Sequence, residues 1–503
     1  MASFSVEVTF KMLEAVLSAI TRFQNPDVIL LILAGMLWGL IFGMIPGLSG
    51  TLALALALVF IRGMDPLAGT YFLISIMGSV AFGGSISAIL INTPGTPANV
   101  ATCLDGFPMS QKGQAGKALA ISATASAAGA VFGLIVLAGL IPLMEKLLLT
   151  LGPPEFFMLV LAGLFTAATV VRANIVKGLL SALLGLLFAL LGLSCVTGVV
   201  RFAFGTFYLW DGIPVVPMLI GIFGITEVLV LSGRRTISNV EVKGLESKLD
   251  GVKEVWKHKV CFLRSSVIGV VIGIIPGVGG AVSNIVAYLF AKQVSKEPDT
   301  FGTGNPEGLI ASESANNSKD GGALLPTVAF GISGSSETAV LLGGLTLLGL
   351  SPGPLLLLQN LDVVWTLIFG LLFSAILASI LGLLIAGTLS RITSVNLSYV
   401  LPLVVMFCLI GAFTVHRSIL DVIVAVLFGF IGYAMRRTGF PIVPMVIGFL
   451  LGNMAENWFF QSLQISRGNY GVFFSRPVSL MLFLMALAVL VFPFISKVRG
   501  RSR

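Results

Sequence analysis

Long runs of apolar residues dominate the chain, as in 176–200 and 366–389. A helix needs about 20 mostly apolar residues to cross about 30 Å of hydrocarbon. Windowed hydropathy finds roughly 11 to 13 segments that meet this loosely. A membrane β-barrel would instead show segments of about ten residues with alternating polarity. Runs such as 181–193 do not alternate. The pattern therefore predicts an all-α polytopic membrane protein whose helices are broken or re-entrant where Gly and Pro interrupt them. Residues 1–27 differ: Glu7, Lys11, Glu14 and Arg22 sit among apolar residues, which reads as an amphipathic helix and not as a cleavable signal peptide.

The interruptions recur. Gly43-Met44-Ile45-Pro46-Gly47-Leu48-Ser49-Gly50 resembles Gly273-Ile274-Ile275-Pro276-Gly277-Val278-Gly279-Gly280, 230 residues on. Gly212-Ile213-Pro214-Val215-Val216-Pro217-Met218 resembles Gly439-Phe440-Pro441-Ile442-Val443-Pro444-Met445, 227 residues on. A weaker match joins Pro94-Gly95-Thr96 to Ser333-Gly334-Ser335, 239 residues on, each preceded by a Gly-Gly pair. Three matches in one order at nearly one offset predict two copies of one unit, residues 28–231 and 260–458. Residues 232–259 link them, and 459–503 form a final helix and tail.

Charge adds orientation. The link carries Arg234, Arg235, Lys243, Lys248, Lys253 and Lys257, and the tail Lys497, Arg499, Arg501 and Arg503. The positive-inside bias places both in the cytoplasm. The Pro214–Leu231 helix then runs from Trp210-Asp211 outside to the basic link inside. Its counterpart starts after Arg436-Arg437, inside, and runs outward. The copies are thus expected to be inverted, a form common among secondary transporters, whose sites lie at mid-membrane where the repeats meet.

Composition narrows the class. Only 10% of residues are charged and 56% are hydrophobic, against about 25% charged in soluble domains. The net charge of +8 sits at segment ends, not on a nucleic-acid-binding face. Cys103, Cys195, Cys261 and Cys408 show no CxxC spacing, so neither a disulfide framework nor a metal site is expected. His258 and His416 lie at segment ends and read as interfacial. There is no Walker motif, no His-Glu-x-x-His and no nucleophile elbow. An enzyme or ATP-driven pump is not expected, nor is any cofactor.

Two kinds of break carry candidate chemistry. The Ile-Pro-Gly element combines a missing backbone donor with positive-φ tolerance. At membrane depth such a stretch must be buried or line a wet cavity. Its freed backbone could coordinate a cation such as sodium, making Gly47, Ser49, Gly277 and Gly279 ion-coupling candidates; a packing kink is the other reading. The second kind is polar. Asn92, Thr93, Pro94, Gly95 and Thr96 in the first copy, with Asn316, Asn317, Gly334, Ser335 and Ser336 in the second, suit a hydrogen-bonding substrate site. Ordinary loop chemistry is the alternative, most strongly for 300–320. Among the charges, Glu313 begins the polar cluster. Lys319 could attract an anion or pair with Asp320 near the interface, and Glu337 could bind a cation or proton.

These residues resemble a known family over essentially the whole chain: the large membrane subunit of tripartite tricarboxylate transporters. The motifs are Gly-Met-Ile-Pro-Gly-Leu-Ser-Gly at 43–50, Asn-Thr-Pro-Gly-Thr-Pro-Ala at 92–98, and Asp-Gly-Phe-Pro-Met with Gln-x-Gly-Gln-Ala-Gly-Lys-Ala-Leu at 105–119. Gly-Ile-Ile-Pro-Gly-Val-Gly-Gly at 273–280, Glu-Ser-Ala-Asn-Asn at 313–317 and Gly-Gly-Ala-Leu-Leu-Pro-Thr at 321–327 complete the set. The resemblance implies a secondary transporter of the bacterial inner membrane. It would work with a small four-helix membrane subunit and a periplasmic solute-binding protein that delivers a carboxylate. Uptake would be coupled to an ion gradient, sodium or proton. It also implies that Asn92, Pro94, Gly95, Thr96, Asn316, Asn317, Gly334 and Ser335 line the substrate or ion site. The chain departs from the family pattern at Lys319, Asp320 and Glu337, where uncharged residues are usual, which leaves the carboxylate open. A channel-like or scaffolding subunit without coupled transport is the alternative function.

Overall fold

The computed structural model describes Met12 and residues 14–169, 175–194, 196–232, 248–389 and 397–500. Residues 1–11 and 13 of the expected N-terminal amphipathic segment, Cys195, Arg234, Arg235, Lys243 and the tail's Arg501 and Arg503 lie outside the described residues. A helix over 14–22 leads into α1 (Pro26–Met44), capped by the Asn25 side chain with Pro26 in its first turn. The chain then breaks at 45–49 and resumes as α2 (Gly50–Ile61), α3 (Pro66–Ile91), α4 (Val100–Gln111), α5 (Ala115–Thr150), α6 (Pro153–Thr169) and α7 (Ile175–Ala189). A short hairpin follows, pairing β1 (Gly192–Leu193) with β2 (Val200–Arg201). Next comes α8 (Val215–Leu231), with one wide turn at Ile220–Ile225.

After the link, α9 (Lys248–Lys257) is amphipathic and lies against α5. The same sequence of elements then recurs: α10 (Lys259–Ile274), a break at 275–278, α11 (Gly279–Val294), α12 (Pro306–Phe330), a break at 331–335 and α13 (Ser336–Leu347). The chain continues with α14 (Pro354–Gln359), α15 (Leu361–Leu389), α16 (Leu397–His416), α17 (Ile419–Thr438), α18 (Ile442–Ile465), α19 (Val472–Ser475) and α20 (Pro477–Gly500). Among the described residues the protein is all-α apart from the two-stranded hairpin, as the sequence predicts.

Among the described residues, seven helices are long and apolar enough to cross a membrane alone: α1, α3, α5, residues 361–385 of α15, residues 399–416 of α16, α17 and α18. The looser hydropathy reading of 11 to 13 segments takes in the six shorter apolar helices of the described residues as well. Shorter apolar helices such as α2, α13 and α8 fill the remainder. The polar 300–320 region corrects the loop reading. Its residues from 306 onward belong to one continuous 25-residue helix, α12, buried from Gly308 through Ala329.

Helices approach closely through glycine. Gly35, Gly39 and Gly43 form one face of α1 against α3; a Cβ at Gly39 would sit 3.0 Å from Ile76 Cα. Gly269 and Gly273 do the same for α10 against α12. Small residues at every fourth position let backbones touch where lipid offers no hydrophobic drive. Between the halves the partners are exchanged: α3 packs on α15 and α12 on α5, while α2 meets α13 and α11 meets α4. Likewise α7 packs on α18 and α17 on α8.

Candidate functional site

Each half contains two breaks, and all four converge. The first kind is a Pro-Gly turn: Gly47 (φ 91°) and Gly277 (φ 75°) take left-handed backbone that only glycine adopts freely. Ser49 then caps α2 by accepting from Leu52 N at 3.2 Å. Gly279 (φ 69°) opens α11. In the second kind, a long helix ends in a left-handed residue, Asn92 (φ 55°) for α3 and Gly331 (φ 69°) for α12. The chain then folds back along the helix it has just left. A Cβ at Gly95 would meet Gly84 Cα at 2.6 Å; one at Gly334 would meet Ala323 Cα at 2.7 Å. Only glycine permits this return, and it starts the following helix inside the bundle. Ser335 and Thr338 form a reciprocal capping box at the start of α13.

The returns meet the turns. Gly277 N donates to Ser333 O at 3.2 Å. Thr51 Oγ1 donates to Ser336 Oγ at 3.1 Å, joining α2 and α13, and Asn284 Nδ2 of α11 donates to Ala98 O at 2.7 Å. Buried Asn316 and Asn317 on α12 hold amide atoms without a hydrogen-bond partner: Nδ2 and Oδ1 of Asn316, and Oδ1 of Asn317. Ser283 Oγ and Asn284 Oδ1 on α11 are also unpartnered. Buried polar atoms are ordinarily satisfied, so this set is available to hydrogen-bond a polar ligand. Helix starts supply further N–H donors. Together these groups can hold a carboxylate or a small cation.

The structure brings Gly95, Thr96, Gly277, Gly279, Gly334, Ser335, Ser336 and Glu337 to the meeting of the breaks. Asn92 and Thr93 are set apart: Asn92 is exposed and shapes the turn, while Thr93 Oγ1 bonds to Ile91 O at 3.2 Å. Pro94 and Gly47 act through the turns they form. Lys319 and Asp320 lie inside the helix bundle. They are buried, with side chains 7% and 3% exposed, and pair at 2.5 Å.

Glu313 has surroundings that no sequence motif announced. Fully buried, it accepts hydrogen bonds from Ser85 (2.8 Å), Ser122 (2.8 Å), Ser126 (2.9 Å) and Thr102. Ser85 Oγ receives Asn99 Nδ2 at 2.8 Å, and Asn99 Oδ1 receives Thr96 Oγ1 at 2.6 Å. A chain of bonds thus runs from the first-half return to a carboxylate of the second half. Single serines within apolar helices give no local pattern; the i, i+4 spacing of Ser122 and Ser126 is a signal that places those two on a shared face.

The histidines lie at helix ends, His258 at 2.9 Å from Glu307 and His416 at 3.1 Å from Asp421. Near His258, burial pushes the Glu254 carboxyl up, but Lys117 at 2.8 Å and Lys257 outweigh it and hold it below its ordinary value. No group of three or more His, Cys, Asp or Glu among the described residues could hold a metal ion.

A bundle of apolar helices, broken four times around unpartnered buried amides, defines a multi-pass membrane transport protein. The chain belongs to the tripartite tricarboxylate transporter TctA family, whose model matches residues 29–447. That family consists of transporter subunits, not enzymes. A relative from Agrobacterium vitis, described as an uncharacterized 52.8 kDa protein in the TAR-I ttuC' 3' region, is 29% identical over 480 residues, 93% of each chain. A second from the same organism, an uncharacterized protein in the TAR-II ttuC' 3' region, is 28% identical over 233 residues, 46% of this chain and 96% of its own. No solved structure matches.

Proposed function

We propose that this protein is the large subunit of an ion-coupled importer of a carboxylate in a bacterial inner membrane. A periplasmic solute-binding protein delivers the substrate, and a small four-helix membrane subunit completes the assembly. The observation that carries this reading is the unpartnered amide set of Asn316 and Asn317 beside four helix breaks, in a chain of a transporter family. The substrate carboxylate sits against Asn316, Asn317, Gly95, Thr96, Gly334, Ser335 and Ser336. The coupling ion, sodium or a proton, uses the Pro-Gly turns with Ser49, Gly277 and Gly279.

Inverted copies fit this mechanism. Three contacts support the inversion. Tyr208, just before α8, donates to Asp421 at the start of α17 at 2.5 Å. Glu227 near the end of α8 pairs with Arg436 at 2.9 Å. Glu456, late in α18, pairs with Arg201 of β2 at 2.8 Å. So α8 runs toward the basic link while α18 runs away from it.

The test is uptake by liposomes holding both membrane subunits and supplied with ligand-loaded binding protein. Uptake should rise at least about tenfold under an inward sodium or proton gradient, an effect of about 1.4 kcal/mol or more. Flux that persists after every gradient is collapsed would indicate a channel instead. Asn317→Ala should lower uptake about tenfold at unchanged membrane abundance.

A further inference from the structure

The two halves treat one position differently. In the first half, the helix start after the Pro-Gly turn packs against a valine: a Cβ at Gly50 would lie 2.8 Å from Val80 Cγ1. In the second half the matching glycine is Gly280, and its neighbour is Lys319: a Cβ at Gly280 would lie 2.9 Å from Lys319 Cδ. Gly280 follows Gly50 by 230 residues and Lys319 follows Val80 by 239, the offsets of the two kinds of break. The lysine stem therefore does the valine's packing and carries an ammonium to the meeting of the breaks.

That ammonium is engaged by acids. Lys319 Nζ lies 2.5 Å from Asp320 Oδ1, and Glu337 acts electrostatically on both. Glu337 also reaches the first half, where a Cβ at Gly50 would lie 3.6 Å from its Cγ. Two carboxylates against one ammonium leave no net positive charge to draw an anionic solute. One turn before Asp320, the Asn316 amide oxygen is buried without a partner. Carboxylate and amide oxygens beside an unwound backbone are ligands for a sodium ion, and the ammonium already pairs with one of them, Asp320 Oδ1.

We propose that Lys319 is a built-in cation that takes the place of a coupling sodium ion at the second-half break. Transport then needs no sodium at this position. The proposal rests on the importer reading above and narrows it: the mobile coupling ion keeps the first-half turn at Gly47 and Ser49, and Lys319 serves the second-half turn at Gly277 and Gly279.

The test uses purified full-length protein in detergent, unfolded thermally in sodium chloride or in choline chloride at equal ionic strength. Lys319→Met leaves Asp320 and Glu337 uncompensated, so it should gain a saturable sodium stabilisation of about 2–5 °C beyond the wild type. Lys319→Arg keeps the charge and should gain none. Lys319→Met combined with Asp320→Asn removes the pair and should lose the gain. Recovery of Lys319→Met only when sodium is present also supports the proposal. Equal sodium responses in wild type and Lys319→Met would overturn it. So would failure to recover Lys319→Met in either salt while the double variant folds. Because this readout needs no uptake, it decides the role of Lys319 even if the liposomes show no coupled import.

Discussion

At the scale of single residues, Glu313 poses the sharpest energetic question. Removing a carboxylate from water costs several kcal/mol unless the protein satisfies it. Here four hydroxyls from α3, α4 and α5 do so, and no basic side chain is among its hydrogen-bond partners. Hydroxyls rotate and can either donate or accept, so the shell should tolerate an amide. Glu313→Gln should change unfolding stability in detergent by less than about 1 kcal/mol. Glu313→Ala should cost about 1–3 kcal/mol for each hydroxyl it strands. Equal losses for the two variants would show that the hydroxyls do not adapt. Little of this was legible in the sequence. Glu313 stood out as a charge, but Ser85, Ser122 and Ser126 looked like the ordinary small residues of membrane helices. What joins them is packing between α3, α5 and α12, far apart in the chain.

At the scale of elements, the breaks were legible and the helices around them less so. Proline and glycine announce a turn through their own backbone limits, so 43–50, 92–99, 273–280 and 333–338 could be read directly. The course of α12 could not, because Ser, Asn and Asp at 312–320 have the composition of a loop. Tertiary burial overrides that preference: Gly129 and Gly133 of α5 and Gly269 of α10 bring backbones against Ser314, Ser318 and Ala315. The returns also depend on glycine, which gives a prediction. Added methyls at Gly95 and Gly334 would strike the backbone of Gly84 and Ala323, which cannot turn aside as a side chain can. Gly95→Ala and Gly334→Ala should each cost about 1–3 kcal/mol of stability and reduce uptake. Gly139→Ala meets nothing within 4 Å and should leave both unchanged. If all three behave alike, the close return is not what fixes these breaks.

At the scale of the whole molecule, exchanged packing and proposed inversion belong together. When α3 packs on α15 and α12 on α5, neither half presents a complete core of its own. The proposed site then draws on both halves, with Lys319 and Asn316 in the polar helix of one and Gly95 and Thr96 in the return of the other. In the proposed mechanism, inversion lets that one site face either side of the membrane by rocking of matched parts. It also makes a topological prediction. Asp211 and Thr438 each stand immediately before the glycine of a Gly-x-Pro-x-x-Pro-Met motif, and both are exposed. In a functional variant lacking the native cysteines, Asp211→Cys should react with a membrane-impermeant thiol reagent in intact spheroplasts. Thr438→Cys should react only after permeabilisation. The difference in labelling should be at least about tenfold, since the hydrocarbon layer excludes charged reagents. Labelling of both from the same side would mean that the halves thread the bilayer alike. Alternating access by inverted copies would then be lost, although the convergence of the four breaks would still need another account.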